Sequence, residues 1–230
     1  MSKIELSNQQ ILSYVDHTLL KPFASWHDII VICDEALEHK VASVCVPPTY
    51  ISRIHNKYGS YLPVCTVVGF PLGYSTTGAK LAEVRQAVAD GAIEMDMVIN
   101  ISDVKNSDFS KITGEISALK KACVQENHKS ILKVIIETCY LTEYEKIQLC
   151  GCVTDGGADF IKTSTGFGTD GATMEDVLLF KQHIGKDIKI KAAGGIKTRE
   201  DMVAFIEAGC ARLGTSSAIK ILNSEQTEGY

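Results

Sequence analysis

Three lysines, Lys133, Lys162 and Lys191, stand 29 residues apart along the chain. Each belongs to an apolar run: "ILKVIIET" (131–138), "DFIKTS" (159–164) and "IKIKAAG" (188–194). An ammonium group in such a setting costs desolvation free energy unless it is paired or used. Two lysines facing each other supply a use. Repulsion between like charges lowers the pKa of one and leaves it a populated neutral amine, the nucleophile of Schiff-base chemistry. A nearby carboxylate would hold the second one protonated, and Asp96 in "EMDMVIN" is the candidate. Lys162 and Lys191 fall late in their runs and Lys133 early, so the late pair is assigned the chemistry and Lys133 is kept as a further candidate. A salt-bridged network with no chemistry is the competing account of the same three residue types.

Beside these lysines lie loops of glycine and small hydroxyl residues: "STGFGTDG" (164–171), "AAGGIKT" (192–198) and "GTSSA" (214–218). Backbone N–H groups unobstructed by side chains, with hydroxyls among them, suit an anion such as phosphate. Thr165, Gly166, Gly194, Gly195, Gly214, Ser216 and Ser217 are the binding candidates. Asp16 in "DHTLL" could bond the site or cap its turn. Cys45 and the C-terminal Tyr230, whose phenol could assist proton transfer, complete the candidates. Burial or capping explains Glu137 and Cys139 as well as catalysis does. The six histidines show no paired metal spacing, so metal-assisted chemistry is disfavoured.

The elements that must position these residues are eight short β-branched runs, at 13–19, 41–46, 63–70, 93–100, 131–138, 159–164, 188–194 and 211–216. Several are near-continuously apolar, as strands buried on both faces should be. Helical patterns separate them, with Ser25, Ser107, Thr142, Thr173 and Thr198 as N-caps. Repeated βα alternation without a linker predicts a single (β/α)8 TIM barrel, with an open doubly wound sheet as the alternative. A short helix precedes the barrel within residues 1–12. The barrel is expected to span 1–222, and the polar segment 223–230 to be a mobile tail. In a barrel of this kind, residues at the C-terminal strand ends are the functional ones.

The net charge of −5, with dispersed lysines, argues against a nucleic-acid partner, and no apolar run is long enough to cross a bilayer. The opening "MSKIELSNQQ" lacks the apolar core of a signal peptide, so a cytoplasmic location is expected. The eight cysteines form no C-x-x-C pair and read as reduced core residues. Besides a Schiff-base enzyme, a phosphosugar isomerase or epimerase and a silent sugar-phosphate binder fit these features.

Seven motifs, "DHTLLKP", "VCTVVGFPLG", "EMDMVIN", "LKVIIET", "DFIKTSTGF", "KAAGGIKT" and "RLGTSS", occur in order over nearly the whole chain. Together they resemble the deoxyribose-phosphate aldolases. The resemblance implies a (β/α)8 class I aldolase that interconverts 2-deoxy-D-ribose 5-phosphate with D-glyceraldehyde 3-phosphate and acetaldehyde without a cofactor. It implies Lys162 as the Schiff-base residue, and Lys191 with Asp96 as the proton-transfer pair. It also implies phosphate binding by "AAGGI" and "GTSS". Phe167 departs from part of the family, which carries a lysine there. A homo-oligomer, as a dimer, is the expected assembly.

Overall fold

The computed structural model describes residues 5–227. Eight parallel strands close into one barrel in chain order: β1 (Val15–Thr18), β2 (Ser43–Val46), β3 (Val64–Val68), β4 (Glu94–Val98), β5 (Ile131–Ile135), β6 (Phe160–Lys162), β7 (Lys189–Ala193) and β8 (Cys210–Thr215). Seven lie within a run marked in the sequence, and β8 starts one residue before its run of 211–216. Strands β2, β3 and β4 are buried at every position, because helices cover one face and the barrel interior the other. The (β/α)8 reading therefore holds and the open sheet does not.

The helices are α1 (Asn8–Leu12), α2 (Trp26–His39), α3 (Ile51–Tyr58), α4 (Thr77–Ala89), α5 (Ile101–Lys105), α6 (Phe109–Glu126), α7 (Glu143–Asp155), α8 (Met174–His183), α9 (Arg199–Ala208) and α10 (Ala218–Thr227). Four expected N-caps are in place: the hydroxyls of Ser25, Thr142, Thr173 and Thr198 each accept from the backbone N–H three residues on. Ser107 is not a cap. It takes a left-handed φ of 59° in the turn between α5 and α6, and Asp108 occupies the N-cap.

Two further differences from the sequence reading have physical causes. Helix α3 is short, and its start is masked by "VPPTY", yet Ile51 and Ile54 are fully buried and bring it onto the barrel. The expected boundary at residue 222 falls inside α10, which runs on to Thr227; Leu222 is fully buried and its carbonyl accepts from Asn8 Nδ2 at 3.0 Å. Tyr230 lies outside the described residues.

Outside the barrel, a buried ion pair ties the helical layer to β4. Lys80 Nζ of α4 donates to Glu115 Oε2 of α6 at 2.7 Å and to the Val98 carbonyl at 2.9 Å. Removing one partner of such a pair leaves an uncompensated buried charge. Glu115→Ala is expected to lower unfolding free energy by about 3 kcal/mol in urea melts, while Lys80→Met combined with Glu115→Leu recovers most of it.

Candidate active site

The register of the barrel strands brings the charged residues together. Lys162 on β6 is the direct partner of Lys191 on β7, Lys133 on β5 is the partner of Asp96 on β4, and Lys191 is the partner of Arg212 on β8. All point into the barrel, where Asp96 is the meeting point. Its Oδ2 accepts from Lys162 Nζ at 2.7 Å and from Lys191 Nζ at 2.7 Å, and its Oδ1 accepts from Lys133 Nζ at 2.8 Å. The expected triad of Lys162, Lys191 and Asp96 is thus one hydrogen-bonded unit.

Beneath it lies a second set of charges. Asp16 Oδ2 sits 2.5 Å from Lys191 Nζ, and its Oδ1 accepts from Arg212 and from Ser43 Oγ at 2.7 Å. Glu94 Oε2 is 2.8 Å from Lys133 Nζ, and Arg212 binds the Glu94 carboxylate with two nitrogens. Asp16 is therefore a buried support of Lys191 and Lys133, not a turn cap facing the loops. Lys133, set apart in the sequence by its early position, joins the network. Its stem is long enough to carry Nζ to Asp96.

Burial alone would push the Asp96 carboxyl upward, but Lys133, Lys162 and Lys191 overcome it and hold the group well below the ordinary value of 3.8. Asp16 is lowered in the same way, by Lys133, Lys191 and Arg212 against burial. For Lys191, burial works toward the neutral form, and the two carboxylates of Asp16 and Asp96 outweigh it and raise the group above 10.5. Lys191 is the lysine kept as ammonium, as the paired-lysine reading requires. Cys45 lies beside Cys65 and Asp96 in the barrel interior, fully buried and not on the cavity wall.

The three barrel lysines differ in what they can reach. Lys133 and Lys191 have no exposed surface, whereas Lys162 forms the floor of a cavity of about 330 Å³ at the C-terminal end of the barrel. Its walls are Thr18–Lys21 at the end of β1, Thr165–Phe167 after β6, Ala193–Ile196 at the end of β7 and Gly214–Ser217 at the end of β8. All seven binding candidates, Thr165, Gly166, Gly194, Gly195, Gly214, Ser216 and Ser217, are on this wall. Two glycines have a definite steric reason. A Cβ on Gly194, whose φ is +79°, would stand 3.1 Å from Gly171 Cα, where the loops after β6 and β7 touch. A Cβ on Gly214 would stand 2.9 Å from Ala193 Cβ and 3.2 Å from Lys191 Cε, so glycine there leaves room for the lysine stem.

Glu137 was left undecided by the sequence, and the fold gives it a task. It is buried, in a left-handed conformation with φ 55°, and its carboxylate accepts from the Thr165 N–H at 3.1 Å and from the Thr165 hydroxyl. Thr165 Oγ1 in turn accepts from the Phe167 N–H at 3.0 Å. Glu137 therefore fixes the loop that follows Lys162. The sequence signal for it was a carboxylate at the end of an apolar strand, the same signal that marked Asp96. Glu94 and Arg212 also escaped notice, although Glu94 lies two residues before Asp96 and so on the same strand face.

Among the described residues, two groups of ligand-type atoms lie within 4.8 Å of one another: Cys45, Cys65 and Asp96, and Asp16, Cys65 and Glu94. Every carboxylate among them already binds a lysine or arginine, so a metal ion there would have to displace an ammonium or guanidinium.

The arrangement offers one amine open to a cavity, a buried ammonium as acid, a carboxylate shared between them, and an anion-suited rim. The chain matches the model of the DeoC/LacD family aldolases over residues 10–221. It is 62% identical over 225 residues to the deoxyribose-phosphate aldolase of Clostridium botulinum strain Alaska E43, covering 98% of this chain and all of that one. The solved structure of an aldolase called QR15 superposes with a TM-score of 0.87 at 37% identity, covering 95% of this chain and 96% of the other. The tetrameric deoxyribose phosphate aldolase of Aeropyrum pernix superposes with a TM-score of 0.85 at 29% identity, covering 96% and 93%.

The depressed carboxylates carry a pH signature. A folded-state pKa below the unfolded one means that the stabilisation is complete above about pH 4 and is lost as pH falls, because the unfolded chain then takes up protons the folded one refuses. Acid unfolding followed by circular dichroism is expected to show stability declining below about pH 4 in the parent, and declining less steeply in Asp96→Asn. An identical acid limb in the variant would contradict the pairing.

Proposed function

The chain belongs to the DeoC/LacD family of aldolases, and from that premise we propose that it cleaves 2-deoxy-D-ribose 5-phosphate reversibly to D-glyceraldehyde 3-phosphate and acetaldehyde through a Schiff base on Lys162. The observation that carries the assignment of Lys162 is its difference from the other two barrel lysines: it alone of the three lines the cavity. A single carboxylate oxygen links it to an ammonium held protonated by two acids.

In this reading the free amine of Lys162 attacks C1 of the open-chain sugar, and the carbinolamine loses its hydroxyl as water, protonated by Lys191. The iminium withdraws the electron pair of the bond that breaks. Two carbons leave as acetaldehyde and three as glyceraldehyde 3-phosphate, so that bond is C2–C3. The C3 hydroxyl gives up its proton as C3 becomes the new carbonyl, and an enamine stays on Lys162. Protonation at C2 and hydrolysis then release acetaldehyde and return the amine. Lys191 and Asp96 are the acid–base pair for these transfers, and Asp16 and Lys133 hold that pair in position.

The phosphate belongs at the rim of Gly194, Gly195, Gly214, Ser216 and Ser217, where backbone N–H groups and hydroxyls serve as donors. Among the described residues no helix is long and apolar enough to cross a membrane. All eight cysteines are free, which supports a cytoplasmic location. A homo-oligomeric state is part of the proposal, supported by the tetramer of the Aeropyrum pernix relative; light scattering separates a dimer from a tetramer.

Borohydride added in the presence of acetaldehyde is expected to leave a two-carbon adduct on Lys162, located by peptide mapping, and to inactivate the enzyme. An isomerase would show neither effect. Lys162→Arg abolishes both the adduct and the cleavage. Lys191→Leu is expected to slow turnover by about 10²- to 10⁴-fold, measured by coupled detection of glyceraldehyde 3-phosphate.

A further inference from the structure

The cavity above Lys162 has an uneven charge pattern. Its wall carries no carboxylate, and apart from Lys162 the one cationic residue that lines it is Lys21. The loop after β6 presents Phe167, half-exposed and packed edge-on against Phe70, and the loops after β7 and β8 contribute Gly194, Gly195, Ile196, Ser216 and Ser217. A phosphate monoester held by such donors alone would keep its two negative charges without a counter-charge, and N–H or O–H donors are weaker partners for it than a cation.

We propose that Lys21 supplies that counter-charge and so determines the preference for phosphorylated over unphosphorylated sugars; the proposal rests on the aldolase reading of the same cavity. The topology puts Lys21 on the correct side. Strand β1 pairs with β8, His17 beside Thr215, so the residues after Thr18 leave the barrel next to Ser216 and Ser217. The backbone there is fixed: Leu19 N–H donates to the Cys45 carbonyl at 3.0 Å, and Ala24 N–H closes a turn onto the Lys21 carbonyl at 3.0 Å.

The side chain on that fixed backbone is available. Lys21 forms no salt bridge among the described residues, and its Nζ stands 5.9 Å from the centre of the exposed Phe23 ring. An aromatic face attracts an ammonium without neutralising it, so the contact with Phe23 leaves the charge of Lys21 for a ligand. Lys162 cannot serve both roles, since its nitrogen is bound to Asp96 at rest and to the substrate carbon during reaction.

The test compares 2-deoxyribose 5-phosphate with 2-deoxyribose in the parent, Lys21→Gln and Lys21→Arg. The ratio of kcat/KM for the two substrates is expected to fall about fivefold in Lys21→Gln, the scale of one solvent-exposed ion pair, and to return in Lys21→Arg. The fall is expected to shrink in high salt, as screening of an exposed pair requires. An unchanged ratio, whether both values drop together or neither does, overturns the proposal. If the parent cleaves neither sugar, the aldolase reading fails by itself. Calorimetric titration with inorganic phosphate then decides on Lys21 separately: weaker binding to Lys21→Gln upholds it as the anion-site cation, and equal binding overturns it.

Discussion

The shared oxygen of Asp96 governs the arrangement of the site. Two ammonium groups donate to Oδ2 from adjacent strands, both at 2.7 Å, and a third donates to Oδ1. Without that carboxylate Lys162 would lose its one acidic partner and stand beside Lys133 and Lys191 in a medium where repulsion is poorly screened. With it they form a lattice in which Lys162 and Lys191 are held side by side. The lattice is asymmetric because Asp16 reaches Lys191 and Lys133 but not Lys162. On the aldolase reading, these unequal partners divide two identical side chains into an acid and a nucleophile.

The barrel's charge count fits this division. Inside it Asp16, Glu94 and Asp96 face Lys133, Lys162, Lys191 and Arg212, three carboxylates against four cations. The surplus is one positive charge, and the cation with the fewest carboxylate partners is Lys162. On the aldolase reading the substrate carbon joins at this least-paired cation, and the pairs among Asp16, Glu94, Lys133 and Arg212 do not involve it.

Much of this was legible in the sequence, for reasons that differ by residue. The eight strands were readable because double-sided burial leaves continuous apolar runs, and Lys162, Lys191 and Asp96 stood out as charges late in such runs. Lys133 was separated from them by its place along the strand, a measure that ignores the reach of a four-carbon stem. Arg212 and Glu94 were passed over because one needs the closure of β8 on β1 to find Asp16, and the other the register of β4 with β5 to find Lys133. Glu137 depends on a left-handed backbone that sequence does not announce for a non-glycine residue. The cap at Asp108 and the run of α10 past residue 222 are the ordinary uncertainty of helix ends.

A barrel core holding so many charges is a poor way to gain stability. Replacing buried ion pairs with apolar side chains of similar size is often neutral or stabilising, since desolvation consumes much of the Coulomb attraction. The fold tolerates the arrangement because the opposite, helix-covered face of the strands is apolar: Val44, Met95, Leu132, Val134 and Ile161 alternate with the inward-facing polar residues and are fully buried. The charges also form a chain of contacts. Arg212 binds Glu94 and Asp16, both carboxylates bind Lys133, Asp16 binds Lys191, and Asp96 joins Lys133 and Lys191 to Lys162 at the cavity. Each link fixes the next, so the last nitrogen stands at a defined point. On the aldolase reading, precision at Lys162 is inherited from buried residues that do not line the cavity, and this is a physical reason for keeping ions where leucines would pack better.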